Sequence, residues 1–437
     1  MKMREVALRL LTEWELEGKY INLALSSHLP NSLVREERAA LTALLYTTVE
    51  HKITYDYYIS ALSKRSLDKL SPKVVNILRL GMCQIVDMEK IPGFAAVNES
   101  VKLASNPGER SIVNAVLRAA VRAKNEGTLP LPPYEKNHAR YYSVKYSFPI
   151  WLVKRFIGWF GEEEAIKLLS SFNSEPPLDI SVNTVKTSRE DLIAKLREGG
   201  VSAEPSPYNE SSVRVYTKGD PTELYGFSEG YFFVQDEASA SAVYALAPKS
   251  GDRVVDVCSA PGGKSFLAAI LMSDKGEIRS FDIHESKLSL IKNGAQRLGL
   301  RSVFADVRDA KDPDSSLVSR MDKLIVDAPC SGLGVISKKS DLRYRSEEGI
   351  DELPELQLEI LERSAAYLRK GGELVYSTCT LNPEENEGVV RRFLERNVDF
   401  EPLEFNVGEY ESRGGWLTLY PNVHQTDGFF ISKMRKK

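Results

Sequence analysis

Val254-Val255-Asp256-Val257-Cys258-Ser259-Ala260-Pro261-Gly262-Gly263-Lys264-Ser265-Phe266 reads as a buried strand, a glycine turn and the first turn of a helix. The apolar run Val254, Val255, Val257 encloses one acidic residue, Asp256, and gives way to a small polar step. Gly262 and Gly263 carry no Cβ, so the backbone there can turn sharply and approach a ligand. A helix starting at such a turn points unpaired N–H groups and its positive dipole end at whatever the turn holds. Two phosphate-binding patterns fail. GxxxxGK[ST] finds its end in Gly263-Lys264-Ser265, but Cys258 stands where its first glycine belongs. The GxGxxG spacing of a dinucleotide site is absent. The turn therefore suits an adenosine-carrying ligand without a phosphate chain, and S-adenosylmethionine is the expected cofactor.

Outward from this turn, strands and helices alternate from Ala238 to the end. Strands are expected to end near Asp256, Asp282, Asp306 and Asp327, with a fifth over Glu373–Ser377. Helices are expected over residues 286–298, 356–368 and 383–396. A last pair, WLTLYP (416–421) and GFFISKM (428–434), predicts a hairpin at one edge. This alternation predicts a Rossmann-like, mostly parallel α/β sheet covered on both faces. Ligands bind beyond the carboxyl ends of such strands. Asp282, about twenty residues after the turn, is placed to accept from ribose hydroxyls, and Asp306 could take an adenine amino group. A single strand-end aspartate equally serves as a helix N-cap. Three around one loop favour a ligand.

Two cysteines complete the constellation: Cys330 in Asp327-Ala328-Pro329-Cys330-Ser331-Gly332, and Cys379 in Tyr376-Ser377-Thr378-Cys379-Thr380. Both follow neighbouring strands and should face one crevice. Two thiols suit methylation at C5 of cytosine. A thiolate adding to C6 makes C5 nucleophilic, and a base must then remove the C5 proton. Asp327, protonated or hydrogen-bonding at N3 and N4, would stabilise the adduct and reject uracil. Spacing alone leaves open which thiol attacks.

At 437 residues the chain is expected to hold two or three domains. Hydrophobic content of 42% and charged content of 27% are those of a globular protein. No apolar run is long enough to span a bilayer, and the first residues lack a signal-peptide pattern, so a cytoplasmic location is expected. Four cysteines without a CxxC pair and five scattered histidines predict neither a disulfide framework nor a metal site. Net charge is −3, but residues 101–160 carry 10 Lys/Arg against 3 Asp/Glu, while residues 161–437 carry 35 against 46. A basic segment on an acidic remainder fits a polyanionic partner that touches one region, or a solvated helical face.

Residues 1–125 show helical spacings broken at Pro30-Asn31-Ser32, Ser71-Pro72, Ile91-Pro92-Gly93 and Asn106-Pro107-Gly108, which predicts an all-helical bundle. Arg118 and Arg122, with Lys124 nearby, share a face that could lie on phosphates. Arg79-Leu80-Gly81, Ala95-Ala96-Val97-Asn98-Glu99 and Val113-Asn114-Ala115-Val116-Leu117-Arg118 resemble the RNA-binding bundle of the antitermination factor NusB. Residues 131–140 form an expected linker. Beyond it, aromatics of YSFPIWLVKRFIGWFG alternate with Lys145, Lys154 and Arg155, a pattern that stacks on nucleic acid or, at helical spacing, fills a core. A small α+β module is expected over 141–235 and the catalytic domain over 236–437, after a NusB-like domain at 1–130.

Together VCSAPGGKS, FDIHESKL, DAPCSG and STCTLNPEENE resemble the Sun/Fmu (RsmB-type) family of ribosomal RNA cytosine-C5 methyltransferases over essentially the whole chain. The NusB-like bundle points to the small-subunit enzyme of that group. The resemblance implies Cys379 as nucleophile and Cys330 as the thiol that helps release the methylated product. It also implies cofactor contacts at Cys258, Ser259, Ala260, Pro261, Gly262, Gly263, Lys264, Asp282, Asp306 and Asp327. The implied partner is 16S rRNA, naked or partly assembled, met by a monomer. Lys338, Lys339, Arg343 and Arg345, close behind DAPCSG, are further candidates for gripping RNA phosphates. The chain departs from the family pattern at Phe148-Pro149, Ser181 and Ser340, all in expected RNA-contact regions. Alternatives are the same chemistry on transfer RNA or another ribosomal site, or a non-catalytic RNA-binding assembly factor.

Overall fold

The computed structural model describes residues 3–17, 21, 25, 34–174, 176–217 and 219–437. They divide into two compact units: Met1–Asn173 with Lys339–Glu347, and Ser174–Lys338 with Glu348–Lys437.

The first unit is helical, with α1 (Met3–Glu17), α2 (Arg35–Glu50), α3 (Lys52–Ser63), α4 (Pro72–Val86), α5 (Gly93–Leu103) and α6 (Pro107–Asn125). Helix α4 is its axis. Ser71 caps it, accepting from the Val74 N–H at 3.3 Å, with Pro72 in the first turn. Every residue from Val74 to Ile85 is buried, as expected of a helix surrounded on all sides. Gly81 lets α6 approach closely: a Cβ there would lie 2.5 Å from Leu117 Cδ1. The one buried charge on α4, Arg79, is met by Asp56 (2.6 and 2.9 Å), Glu15 (2.7 Å) and Asn76 (2.8 Å).

Beyond the expected linker come three helices, α7 (His138–Tyr146), α8 (Ile150–Phe160) and α9 (Glu162–Ser171), and the strands of the small α+β module follow them. They cluster with the bundle, and the first stretch of the helical unit ends at Asn173. The Ile53 N–H donates to Ser147 Oγ (3.1 Å), and Thr54 Oγ1 donates to the Val144 carbonyl. Phe148, Phe156 and Phe172 are buried against one another. Of the aromatic stripe, Phe148 and Phe156 are core, while Tyr146, Trp151, Trp159 and Phe160 are half-buried.

The second unit holds two main sheets. A small antiparallel one, in order β2-β3-β1-β4, is built from β1 (Leu178–Val182), β2 (Ser202–Pro205), β3 (Ser212–Tyr216) and β4 (Phe232–Val234). Helix α10 (Arg189–Glu198) covers it, with Leu192, Ile193 and Leu196 buried against Ile180, Val182, Val213 and Val215.

The large sheet runs β10-β14-β9-β8-β5-β6-β7, with β13 also paired to β14. Its strands are β5 (Arg253–Asp256), β6 (Glu277–Asp282), β7 (Val303–Val307), β8 (Met321–Asp327), β9 (Leu368–Thr378), β10 (Phe400–Pro402), β13 (Trp416–Leu419) and β14 (Phe429–Lys436), while β11 (Asn406–Val407) and β12 (Tyr410–Glu411) pair separately. The five from β5 to β9 are parallel. Helices α11 (Glu237–Leu246), α12 (Gly263–Leu271) and α13 (Glu285–Leu298) pack into one buried cluster, and α14 (Leu353–Ser364) and α15 (Glu387–Arg396) into another. The predicted hairpin forms, but β14 lies inside the sheet, antiparallel between β9 and β10, rather than at an edge.

Strand order reverses between β5 and β8: β6 and β7 continue to one side, and β8 and β9 to the other. A crevice opens at such a reversal, beyond the carboxyl ends of the strands. Asp256 and Asp327 end those two strands. Among the described residues no helix is long and apolar enough to cross a membrane.

Candidate active site

The glycine turn follows β5 directly. The Ser259 N–H and Oγ both donate to the Phe281 carbonyl of β6 (2.8 and 2.9 Å), and the Gly262 N–H donates to the Ser259 carbonyl (2.7 Å). Gly262 has φ +113°, and a Cβ on it would lie 2.4 Å from Phe266 Cζ, so only glycine closes this turn. Helix α12 then starts at Gly263. Cys258 packs against the core, and burial pushes its thiol well above its ordinary value.

Asp282 ends β6 and accepts the Ala260 N–H (3.3 Å) on one oxygen and the His284 N–H (2.9 Å) on the other. It ties the turn to the start of α13, with a lone pair left on each oxygen. Asp256 accepts from Ser265 Oγ at 2.7 Å, while its other oxygen is buried without a partner among the described residues. Burial pushes this carboxyl up to about 7, against the Ser265 hydrogen bond and with help from the charge of Asp327. A glycine-only turn, a helix N-terminus with unpaired N–H groups for a carboxylate, and the lone pairs left on Asp282 fit an adenosine-type cofactor that carries an amino-acid end.

Lys264 turns inward. Its ammonium pairs with Asp327 Oδ2 (2.8 Å), donates to Ser239 Oγ (2.8 Å) and lies 5.1 Å from the Phe429 ring centre. Ser377 Oγ donates to the other Asp327 oxygen at 2.8 Å. Held between an ammonium and a hydroxyl, Asp327 faces the crevice as a hydrogen-bond acceptor.

Cys330 and Cys379 meet. Their Sγ atoms are 3.0 Å apart, in free thiols. Because β8 and β9 pair in register Asp327 to Ser377, the loops after them begin side by side. The hydrogen bond to Cys379 first, and burial second, raise the Cys330 thiol well above its ordinary value, so Cys330 keeps its proton; either sulfur can be the donor in the contact. The fourth cysteine, Cys83, is structural: it is buried on α4, donates to the Leu44 carbonyl at 3.8 Å, and is pushed up to about 12 by burial.

Other expected site residues sit elsewhere. Asp306 lies within β7 rather than closing it, with its side chain 61% exposed and 3.9 Å from Arg279 Nη1. Lys338 does not reach for phosphate. Its ammonium pairs with Asp236, Asp427 (3.2 Å) and Asp179 (3.7 Å), an internal cluster. Burial would lower this ammonium, but the three carboxylates hold it above its ordinary value. Arg343 is fully buried in the helical unit, donating to the carbonyls of Glu50 (2.9 Å) and Ser147 (3.3 Å) and to Asn173 Oδ1 (3.1 Å), over the Phe148 ring. Lys339 is exposed and Arg345 half-buried, both in that same unit. On α6, Arg118 and Arg122 are exposed, whereas Lys124 caps α4 by donating to the Ile85 and Val86 carbonyls (2.6 and 3.1 Å). The three departures from the family pattern are all buried and make no RNA surface: Phe148 lies under Arg343, Ser181 Oγ donates to Gln235 (2.9 Å), and Ser340 is enclosed.

Sequence reasoning did not single out Glu385, which is fully buried. Its carboxylate accepts from the Ser331 N–H (2.8 Å), Gln357 Nε2 (2.8 Å) and Asn382 Nδ2 (3.0 Å). The PEEN run drew attention as a motif, but nothing in it tells buried Glu385 from exposed Glu384.

A Rossmann-like sheet whose reversal point carries a glycine turn, a strand-end acidic residue and no phosphate loop defines a methyltransferase domain. The model of the 16S rRNA methyltransferase RsmB/F family matches residues 243–435, that of the NusB family residues 1–122, and that of the RsmF/B-like ferredoxin-like domain residues 148–221. A Bacillus subtilis protein called "Probable ribosomal RNA small subunit methyltransferase B" is 38% identical over 100% of this chain and 99% of its own. The ribosomal RNA small subunit methyltransferase B of Escherichia coli O1:K1 is 30% identical over 92% of this chain and 91% of its own. The solved NSun6 from Pyrococcus horikoshii with SFG is 27% identical, with a TM-score of 0.61 over 67% of this chain and 99% of that one. The chain belongs to the RsmB/F family of 16S rRNA methyltransferases.

Proposed function

We propose that this protein methylates C5 of one cytosine in small-subunit (16S) ribosomal RNA through a covalent bond between Cys379 and C6 of the base. The contact of two thiols at 3.0 Å carries this reading, because attack and release each require a group at the same ring edge. The turn from Cys258 to Lys264 would hold the cofactor, with Asp282 placed for its ribose. S-adenosylmethionine, when bound, supplies the electrophilic methyl group that C5 accepts.

The chain's own residues account for the rest. Cys379, accepting a hydrogen bond from Cys330, adds as thiolate to C6, forming the S–C6 bond and moving the C5=C6 pair toward C5. Asp327 accepts from the exocyclic amino group of cytosine, a contact that the carbonyl of uracil cannot make. After methylation the C5 proton passes to Cys330 as its own proton passes to the departing Cys379 sulfur. The electrons of the C5–H bond restore C5=C6 and the S–C6 bond breaks; both sulfurs end protonated, and Cys379 gives its proton to water to become the thiolate again. Reaching these thiols requires the base to leave its stack, which favours naked or partly assembled RNA.

Two variants test the assignment. Cys330→Ala should accumulate a covalent protein–RNA adduct on denaturing gels, while Cys379→Ala should form none and be inactive. Equal, mild losses in both would refute it. Bisulfite sequencing of rRNA from a strain lacking the protein should show one missing mark; a mark missing only from transfer RNA would move the substrate.

A further inference from the structure

Each thiol sits on a loop with no regular hydrogen-bond ladder, yet their sulfurs are held at 3.0 Å. One buried carboxylate reaches both loops. The Ser331 N–H, next to Cys330, donates to Glu385 Oε2, and Asn382 Nδ2, three residues after Cys379, donates to Oε1. Gln357 Nε2 on α14 donates to Oε2 and also to the Pro329 carbonyl, so both neighbours of Cys330 are tied to this centre. From the other side, Tyr376 of β9 donates through its hydroxyl to the Glu385 carbonyl at 2.7 Å. Ser331 Oγ and Thr380 Oγ1, 2.7 Å apart, join the loops again beside the thiols.

We propose that Glu385 is a positioning residue: its carboxylate fastens the Cys330 loop to the Cys379 loop and so sets the spacing of the two thiols. Glu385 itself touches neither RNA nor cofactor in this role. The proposal rests on the reading of the two thiols given above. Buried carboxylates are expensive unless every lone pair is used, and this one has three donors from three segments. Its charge has a second consequence. It is one of the groups that raise the Cys330 thiol, after the Cys379 hydrogen bond and burial, and so helps to keep the proton on Cys330.

Glu385→Gln preserves shape, removes the charge and offers an N–H where the Ser331 or Gln357 donor now points. We expect it to fold and to bind S-adenosylmethionine as the wild type does, since no Glu385 contact involves the glycine turn. Release of the covalent adduct should slow by about ten- to a hundredfold, the usual penalty for a displaced reacting group. The pH limb of release governed by Cys330 should move to lower pH. Gln357→Met, which leaves the carboxylate in place but detaches the Pro329 side, should lengthen adduct lifetime without moving that limb.

The spacing can also be read without the reaction. Diamide accepts the two thiol hydrogens and becomes the hydrazine as an S–S bond forms between Cys330 and Cys379. This crosslink, mapped by mass spectrometry, should form readily in the wild type and at least several-fold more slowly in Glu385→Gln. Unchanged crosslinking and adduct lifetime in both variants would overturn the proposal. So would a parallel fall in thermal stability, cofactor binding and activity, the signature of a merely structural residue. Failure of Cys330→Ala to trap an adduct, with crosslinking still slowed in Glu385→Gln, would refute the reaction scheme and leave the positioning role standing.

Discussion

Replacing Lys338 by methionine separates a structural ion cluster from an RNA contact. The ammonium lies among Asp236, Asp427 at 3.2 Å and Asp179 at 3.7 Å. It joins the loop behind DAPCSG to the first strand of the small sheet, the cap of α11 and the turn before β14. Both oxygens of Asp179 are buried without a hydrogen-bond partner among the described residues, so the ammonium is one of the few groups offsetting their burial. Removing one member of a buried cluster destabilises by about 3–5 kcal/mol. The Lys338 side chain keeps 27% of its surface exposed, which argues for the lower end, about 3 kcal/mol. With a urea dependence of about 3 kcal/mol per molar, the midpoint should fall by about 1 M. Trp416 is the one tryptophan of the catalytic unit. Its fluorescence, in a background with Phe at positions 14, 151 and 159, reports that unit's unfolding. RNA affinity at folding conditions, and its slope against salt, should stay as in the parent. An unchanged midpoint together with a salt slope reduced by about one would refute this reasoning and make Lys338 a phosphate ligand.

Gly262→Ala places a side chain at φ +113° against the Phe266 ring; the strain of about 1–3 kcal/mol should weaken cofactor binding by about tenfold or more in calorimetry. Asp256 binds its proton more tightly folded than unfolded, so it contributes stability at acid pH that is lost as pH rises from about 4 to about 7. Asp256→Asn should remove that decline, seen as urea midpoints that converge with the parent at low pH and exceed it at neutral pH. Arg118→Ala with Arg122→Ala should weaken RNA binding and reduce its salt slope by about one per arginine, with the thermal midpoint unchanged.

Much of the site was legible because its chemistry sits on strand ends. A strand that must stop at Asp256 or Asp327 delivers the next residues to the crevice, so alternation alone placed the glycine turn, Asp282, Cys330 and Cys379 on one side of the sheet. Reading charge as surface failed at Lys338 and Arg343. A basic side chain in a polar loop looks the same whether it meets phosphates or, as here, three carboxylates or three backbone and amide oxygens. Those partners lie far away in sequence: Asp179 and Asp427 for Lys338, Glu50 and Asn173 for Arg343. The proline-rich stretch 131–140 does not end the helical unit, because Ile53 and Thr54 of α3 bond to Ser147 and Val144 beyond it. Glu385 shows the same limit, since two of its three donors, Ser331 and Gln357, lie far from it in sequence.

The stretch Lys339–Glu347 leaves the catalytic fold and becomes part of the helical one before the chain returns. Arg343 fills the helical interior there, and Tyr344 packs edge-on to Trp14 at 5.7 Å and donates to the Val49 carbonyl. No single cut therefore divides the polypeptide into two whole parts. A fragment ending near Asn173 would lack a piece of its own core, and its partner fragment would carry that piece without a place to put it. Expressing either part alone therefore means moving residues 339–347 with the helical part, by a designed connection rather than a simple truncation.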